Sequence, residues 1–178
     1  VIWTYQDLEL MPPDGRRHEI LDGEWVVTPA PNIKHQTVSK RLQFQLMLQL
    51  EDKKVGVVFG APTDVIFSNT RVTEPDLLVI AVERKNIISE RGIEGAPDLV
   101  IEILSTSTER TDREVKRKLY ADGGVREYWI VDPRTSRIEV LELAGSSYEL
   151  TGEYGPGAMA KSEIFPFSIA VDVVFADD

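Results

Sequence analysis

Leu99-Val100-Ile101-Glu102-Ile103-Leu104 is the most apolar run of the chain, and it carries a carboxylate near its middle. Aliphatic residues at both parities mark a strand buried on both faces, as in the centre of a sheet. An isolated charge there costs several kcal/mol or more unless it is paired, hydrogen-bonded or bound to a metal. What stands beside Glu102 therefore decides the chemistry as well as the fold.

Outward from this strand, the sequence reads as a mixed sheet packed by two helices. Strands are expected at Val55–Phe59, Thr63–Phe67, Asp76–Val82 and Asp98–Leu104, then at Arg126–Val131 and Arg137–Leu143 around Asp132-Pro133. The last is expected at Ile169–Phe175. His18–Leu21 and Trp25–Thr28 flank Asp22-Gly23, a hairpin signal because both residues tolerate the positive φ of tight turns. Tyr5–Met11 reads as a short helix capped by Thr4 and stopped by Pro12-Pro13. Asn32–Asp52 is the longest helix, with Ile33, Val38, Leu42, Leu46 and Leu50 near helical spacing. Thr111 with Glu114 reads as a capping box opening a second helix, which Gly123-Gly124 ends.

The chain has 178 residues, 42% of them hydrophobic, a size that suits one domain spanning 1–178. Without cysteine there is no disulfide framework, thiolate zinc site or thiol nucleophile. No apolar stretch approaches the ~20 residues of a membrane span, so no membrane association and a cytoplasmic location are expected. Net charge is −10, but eight acids against the single base Lys161 lie from Glu139 onward, leaving −3 for residues 1–138. In that portion Arg110, Arg113, Lys116, Arg117 and Lys118 form a basic cluster broken by Glu109, Asp112 and Glu114. Phosphate-binding loops, dinucleotide fingerprints, Gly-x-Ser-x-Gly elbows and zinc-like histidine spacing are all missing from the sequence.

Asp98 shares a strand face with Glu102 but stands four residues away, ~13 Å at ~3.3 Å per residue. Asp76 opens the preceding strand and can lie opposite Glu102 if the register is right, since neighbouring strands are ~4.8 Å apart. Two bare carboxylates that close repel each other, and Mg²⁺ binding to one or both removes the repulsion. The residues alone equally allow Glu102 to pair with a buried Lys or Arg, with Asp76 capping a strand after Pro75. On a wheel at ~100° per residue, Lys116 falls on the arc bounded by Val115, Leu119 and Tyr120. Arg113, Glu114, Arg117 and Lys118 fall toward solvent. Lys116 is thus either an Asp112 ion-pair partner one turn away or an ammonium beside Glu102 and Asp76.

Two carboxylates on adjacent strands with a lysine nearby resemble the PD-(D/E)XK nuclease superfamily. Pro75-Asp76 supplies the first half, and Glu102-Ile103-Leu104 the second. The last position is Leu104, where the superfamily has lysine. More specifically the chain resembles a bacterial family of restriction-endonuclease-like proteins in which the lysine has moved to the following helix. The matching stretches are Arg17–Glu24, His35, Pro75-Asp76, Gly95–Ser105, Asp112 with Lys116 and Tyr120, and Gly124–Pro133.

The resemblance implies a restriction-endonuclease-like α/β (α+β) fold with a mixed sheet core, an N-terminal hairpin and extra C-terminal strands. It implies that Asp76 and Glu102 bind Mg²⁺, with the Ile103 carbonyl as a further ligand and Mn²⁺ as a substitute. Lys116 would be the displaced lysine, and Glu19 would complete the metal shell. His35, with Arg113 and Lys118, would face the phosphate side. The expected activity is Mg²⁺-dependent hydrolysis of DNA phosphodiester bonds, and two-strand cleavage would favour a homodimer. The alternative is a catalytically inactive module of the same fold that binds nucleic acid or protein.

Overall fold

The computed structural model describes residues 1–177, in two six-stranded sheets, a two-stranded ribbon and the helices that cover them. Along the chain, helix α1 (Tyr5–Glu9) precedes the hairpin β1 (Arg17–Leu21) and β2 (Glu24–Thr28). Helix α2 (Ile33–Leu46) follows, and a π-helical turn, Met47–Glu51, extends it. Then come β3 (Gly56–Gly60), β4 (Val65–Ser68), β5 (Arg71–Thr73), β6 (Leu77–Ala81), β7 (Ile88–Ser89), β8 (Gly92–Ile93) and β9 (Leu99–Ile103). A π-helical segment, Thr111–Lys116, runs into α3 (Arg117–Gly123). The chain continues through β10 (Glu127–Asp132), β11 (Arg137–Ala144), β12 (Ser147–Tyr154), β13 (Met159–Lys161), β14 (Ser168–Ala170) and α4 (Val171–Phe175).

The principal sheet has the order β12-β11-β10-β9-β6-β3. Its central strands β9 and β10 are parallel, which requires the helical crossover at 111–123. Both are buried along their whole length, as the run around Glu102 predicts. Odd-numbered residues of β6 and β9 (Leu77, Val79, Leu99, Ile101, Ile103) pack against Val38, Leu42, Leu46 and Leu50 of the long helix. Even-numbered ones (Leu78, Ile80, Val100) face Leu119, Tyr120 and the second sheet. Glu102 has the parity of this second face.

The second sheet, β2-β1-β5-β4-β8-β7, carries the hairpin. Asp22 (φ 52°) and Gly23 (φ 82°) form its turn, in the positive-φ pair that matches strand twist. Alternation along β1 turns Ile20 toward Tyr5 and Val72, and puts Arg17 and Glu19 together on the other face.

Three expectations need correction. Residues 169–175 are not one strand: β14 ends at Ala170, and α4 follows because Val171 and Val174, three apart, both bury in the core. The helix after β9 already begins at Glu109, so Thr111 lies inside it. Its N-terminal turn is fixed instead by Thr108, whose hydroxyl accepts from the Ser105 N–H at 3.1 Å. The π-helical winding of residues 111–116 also breaks the 100° wheel, which is why Val115 is exposed while Asp112 and Lys116 are buried.

Candidate active site

Asp76 and Glu102 meet at one end of the principal sheet. Leu77 pairs with Ile101 in the antiparallel ladder, so one further step brings Asp76 opposite Glu102. Asp98 lies at the far end of β9, accepting the Ala81 N–H at 2.8 Å and facing Arg84 Nη1 at 3.0 Å. It braces β6 against β9 and takes no part in the cluster.

Lys116 Nζ is enclosed by three carboxylates: Glu19 at 2.8 Å, Glu102 at 3.2 Å and Asp112 at 3.6 Å. The Tyr120 hydroxyl, one turn on, donates to the same Glu102 oxygen at 2.6 Å. Glu19 is itself fixed by the Glu74 N–H at 2.8 Å. Asp76 has a different set of partners. Its Oδ1 accepts from Arg17 Nη2 at 2.9 Å and lies 3.2 Å from His35 Nε2, while its Oδ2 accepts the Ile103 N–H at 2.7 Å. Asn32 caps α2 by accepting the His35 N–H at 2.8 Å, which fixes the turn from which that ring reaches inward.

Glu19, Asp76, Glu102, Asp112 and Lys116 are each at most 3% exposed. With the half-buried Glu74, five acids face the cations Arg17 and Lys116 and the titratable His35. Burial raises Glu102 well above an ordinary glutamate; Lys116 opposes the rise, while Asp112, Asp76 and Glu19 add to it. Burial likewise lifts Asp112 to about 6 and Glu74 to about 7. Burial acts the same way on Asp76, but the His35 hydrogen bond, the Arg17 charge and the Ile103 N–H outweigh it and hold the carboxyl at about 2. Burial would lower Lys116, yet Glu102, Glu19 and Asp112 keep its ammonium well above the ordinary lysine range. The cluster is therefore rich in hard oxygen donors and short of positive charge. Asp112 Oδ1 is buried without a hydrogen bond, its nearest cation being the distant Lys116.

The cluster floors a cavity of about 580 Å³ walled by residues 28–32, the Ser105–Thr108 loop and the Asp132–Arg134 turn. Of the residues singled out in the sequence, His35, Asp76, Glu102, Ile103 and Lys116 line it, and Glu19 joins the cluster behind them through Lys116. Arg113 and Lys118 do not line the cavity. Arg113 pairs with Glu139 at 2.6 Å and Glu109 at 3.4 Å, and Lys118 pairs with Asp122 at 2.7 Å. Arg17 is the neighbour that periodicity missed, although it lies two residues before Glu19 on the same strand face.

A family model described as "Putative restriction endonuclease", Uma2, matches residues 4–173. The chain belongs to the Uma2 family. The solved structure of a protein from Anabaena variabilis ATCC 29413, titled a putative nuclease belonging to DUF820, superposes with a TM-score of 0.81. That alignment covers 97% of each chain at 20% identity, so it establishes a shared fold. "Uncharacterized protein sll1609" of Synechocystis sp. is 25% identical over 142 residues, which cover 77% of this chain and 80% of that protein. Family and fold place the chain with the PD-(D/E)XK-like proteins. Among the described residues no helix is long and apolar enough to cross a membrane.

Proposed function

We propose that the protein is a Mg²⁺-dependent endonuclease that hydrolyses DNA phosphodiester bonds at the Asp76–Glu102–Lys116 cluster. The observation that carries this reading is Lys116 Nζ, 3.2 Å from Glu102 on the floor of an open cavity where buried acids outnumber bases. Carboxylate oxygens in excess suit a hard divalent cation. Asp76 and Glu102 would hold it, with the Ile103 carbonyl and Glu19 completing the shell. Bound there, Mg²⁺ would lower the pKa of an attacking water and polarise the scissile phosphate. Lys116 stabilises the charge that develops on the phosphate oxygens. Arg17 neutralises Asp76 and His35 hydrogen-bonds it before substrate arrives, and both can turn to a phosphate once a cation takes that carboxylate over. Tyr120 keeps the Glu102 carboxylate pointed at the cluster.

Purified protein should nick or cut DNA with Mg²⁺ or Mn²⁺, and Glu102→Ala or Lys116→Ala should each abolish this. Metal-dependent cleavage that survives both substitutions would sink the assignment. One observation favours an inactive module instead: among the described residues no three His, Asp or Glu side chains are arranged to hold a metal ion. Calorimetry separates the two, since Mn²⁺ binding without turnover on any nucleic acid supports the module.

A further inference from the structure

A second cavity, of about 690 Å³, opens on the other side of Asp76. It shares with the first Arg17, His35, Asp76 and the Pro29-Ala30-Pro31 segment. Joined at these residues, the two are taken together as one trough, with Glu102, Asp112 and Lys116 lining its first half and Arg17, His35 and Asp76 lining both. Helix α2 runs alongside. Its Lys34 lines the first cavity and its Lys40 the second. Both lysines are exposed and, among the described residues, neither has an acidic partner, in contrast to Arg134, which is tied to Glu109, and Arg16, tied to Asp14. Six residues of helix separate them by ~9 Å along the axis.

We infer that this trough takes a single strand of DNA, with the phosphates on either side of the reacting one held by Lys34 and Lys40. The inference rests on the nuclease reading above and names its substrate. Three observations carry it. First, the reacting groups are recessed: Glu102, Asp76 and Lys116 are 1%, 2% and 3% exposed, beneath walls on several sides. Pockets of about 300–1,000 Å³ enclose ligands of nucleotide size. A stiff duplex cannot lower one phosphate to such a floor without distortion, whereas a flexible strand can follow the trough.

Second, free positive charge is scarce along the trough. Proteins that bind duplex DNA through its backbone neutralise about 6–10 phosphates. Among the described residues the trough is lined by two unpaired lysines, on a chain of net charge −10. Third, His18 lines the second cavity, and its ring stacks on the exposed Trp25 beside it with centroids 5.6 Å apart. An aromatic face beside a basic groove is the usual equipment for sequence-tolerant single-strand binding.

The test is fluorescence anisotropy with a labelled mixed-sequence oligodeoxynucleotide, free or annealed into a blunt duplex, with Ca²⁺ replacing Mg²⁺. The single strand should bind at least tenfold tighter than the duplex. The double variant Lys34→Gln/Lys40→Gln, exposed at both positions and expected to melt like wild type, should lose about tenfold on the single strand. Its log–log salt slope should shrink by about 1.4, at ~0.7 per phosphate contact. Equal or tighter duplex binding overturns the inference, as does a double variant that binds like wild type. Cleavage of blunt duplex as fast as single strand also overturns it and leaves the nuclease reading standing. Tight, lysine-dependent single-strand binding without turnover supports the strand path and counts against catalysis.

Discussion

Asp112→Asn separates charge from packing at the site floor. Burial holds the Asp112 carboxyl at about 6 against an ordinary 3.8, with Lys116 opposing and Asp76 and Glu19 adding to the rise. That difference is ~2 pK units, and at ~1.4 kcal/mol per unit ionisation of Asp112 costs the folded protein about 3 kcal/mol. The folded state holds this proton more tightly than the unfolded chain. Native stability therefore falls as pH rises through the window from 3.8 to about 6, and the full loss is present above it. An amide has no such titration. The stability of Asp112→Asn minus that of wild type should thus grow by ~2.4 kcal/mol between pH 4 and pH 7, or roughly 5–10 °C in Tm for a chain of this size. Glu74, with a raised carboxyl, titrates in both proteins and cancels in the difference, while Glu102, which the Asp112 charge helps to raise, is less raised in the variant and shifts the difference in the same direction. Urea unfolding followed by circular dichroism at four pH values measures it. A difference that stays flat with pH to within about 0.5 kcal/mol refutes the reasoning.

Lys116→Met should cost about 3–5 kcal/mol at pH 8, because it strands buried carboxylates. The loss should shrink at pH 5, where the raised Glu102 and Asp112 take up protons; thermal melts showing equal losses at both values would count against this. Arg17→Met removes the cation that covers Asp76 and should tighten Mn²⁺ binding about tenfold by calorimetry, ~1.4 kcal/mol; unchanged or weaker binding would show that Arg17 does not compete for that carboxylate. Tyr120→Phe deletes a buried hydrogen bond to a carboxylate and should cost about 1.5–3 kcal/mol in urea unfolding, with near-wild-type stability as the contrary result.

The centre of the fold was legible because its pattern is dense. Glu102 amid aliphatics can only be a strand buried on both faces, and the rise of four residues along that strand sends Asp98 to the wrong end. Lys116 was legible for a partly mistaken reason. The wheel turned it inward beside Val115, whereas the π-helical winding buries Lys116 and exposes Val115. That winding leaves no periodic trace over six residues. The short strands β5, β7 and β8 were also hidden, since two or three residues carry too little alternation to read. Arg17, which sits on Asp76 across 59 positions of sequence, is a tertiary contact that no local pattern announces. The same holds for Arg113 and Lys118, whose acidic partners draw them away from the cavity.

Asp76 stands at the head of β6 and Glu102 on the neighbouring strand β9, Lys116 on the helix that follows, and Glu19 on the hairpin. The four groups come from positions 19, 76, 102 and 116, so no contiguous stretch of the chain holds a working set. A nascent chain, or a fragment cut anywhere between Glu19 and Lys116, lacks at least one of them until both sheets and the crossover helix have docked. On the proposed reading, DNA cleavage is thereby withheld until folding is complete. The same division makes the protein a natural candidate for splitting at the exposed Asp52–Lys54 turn: two inert halves whose reunion could be read out as restored cleavage.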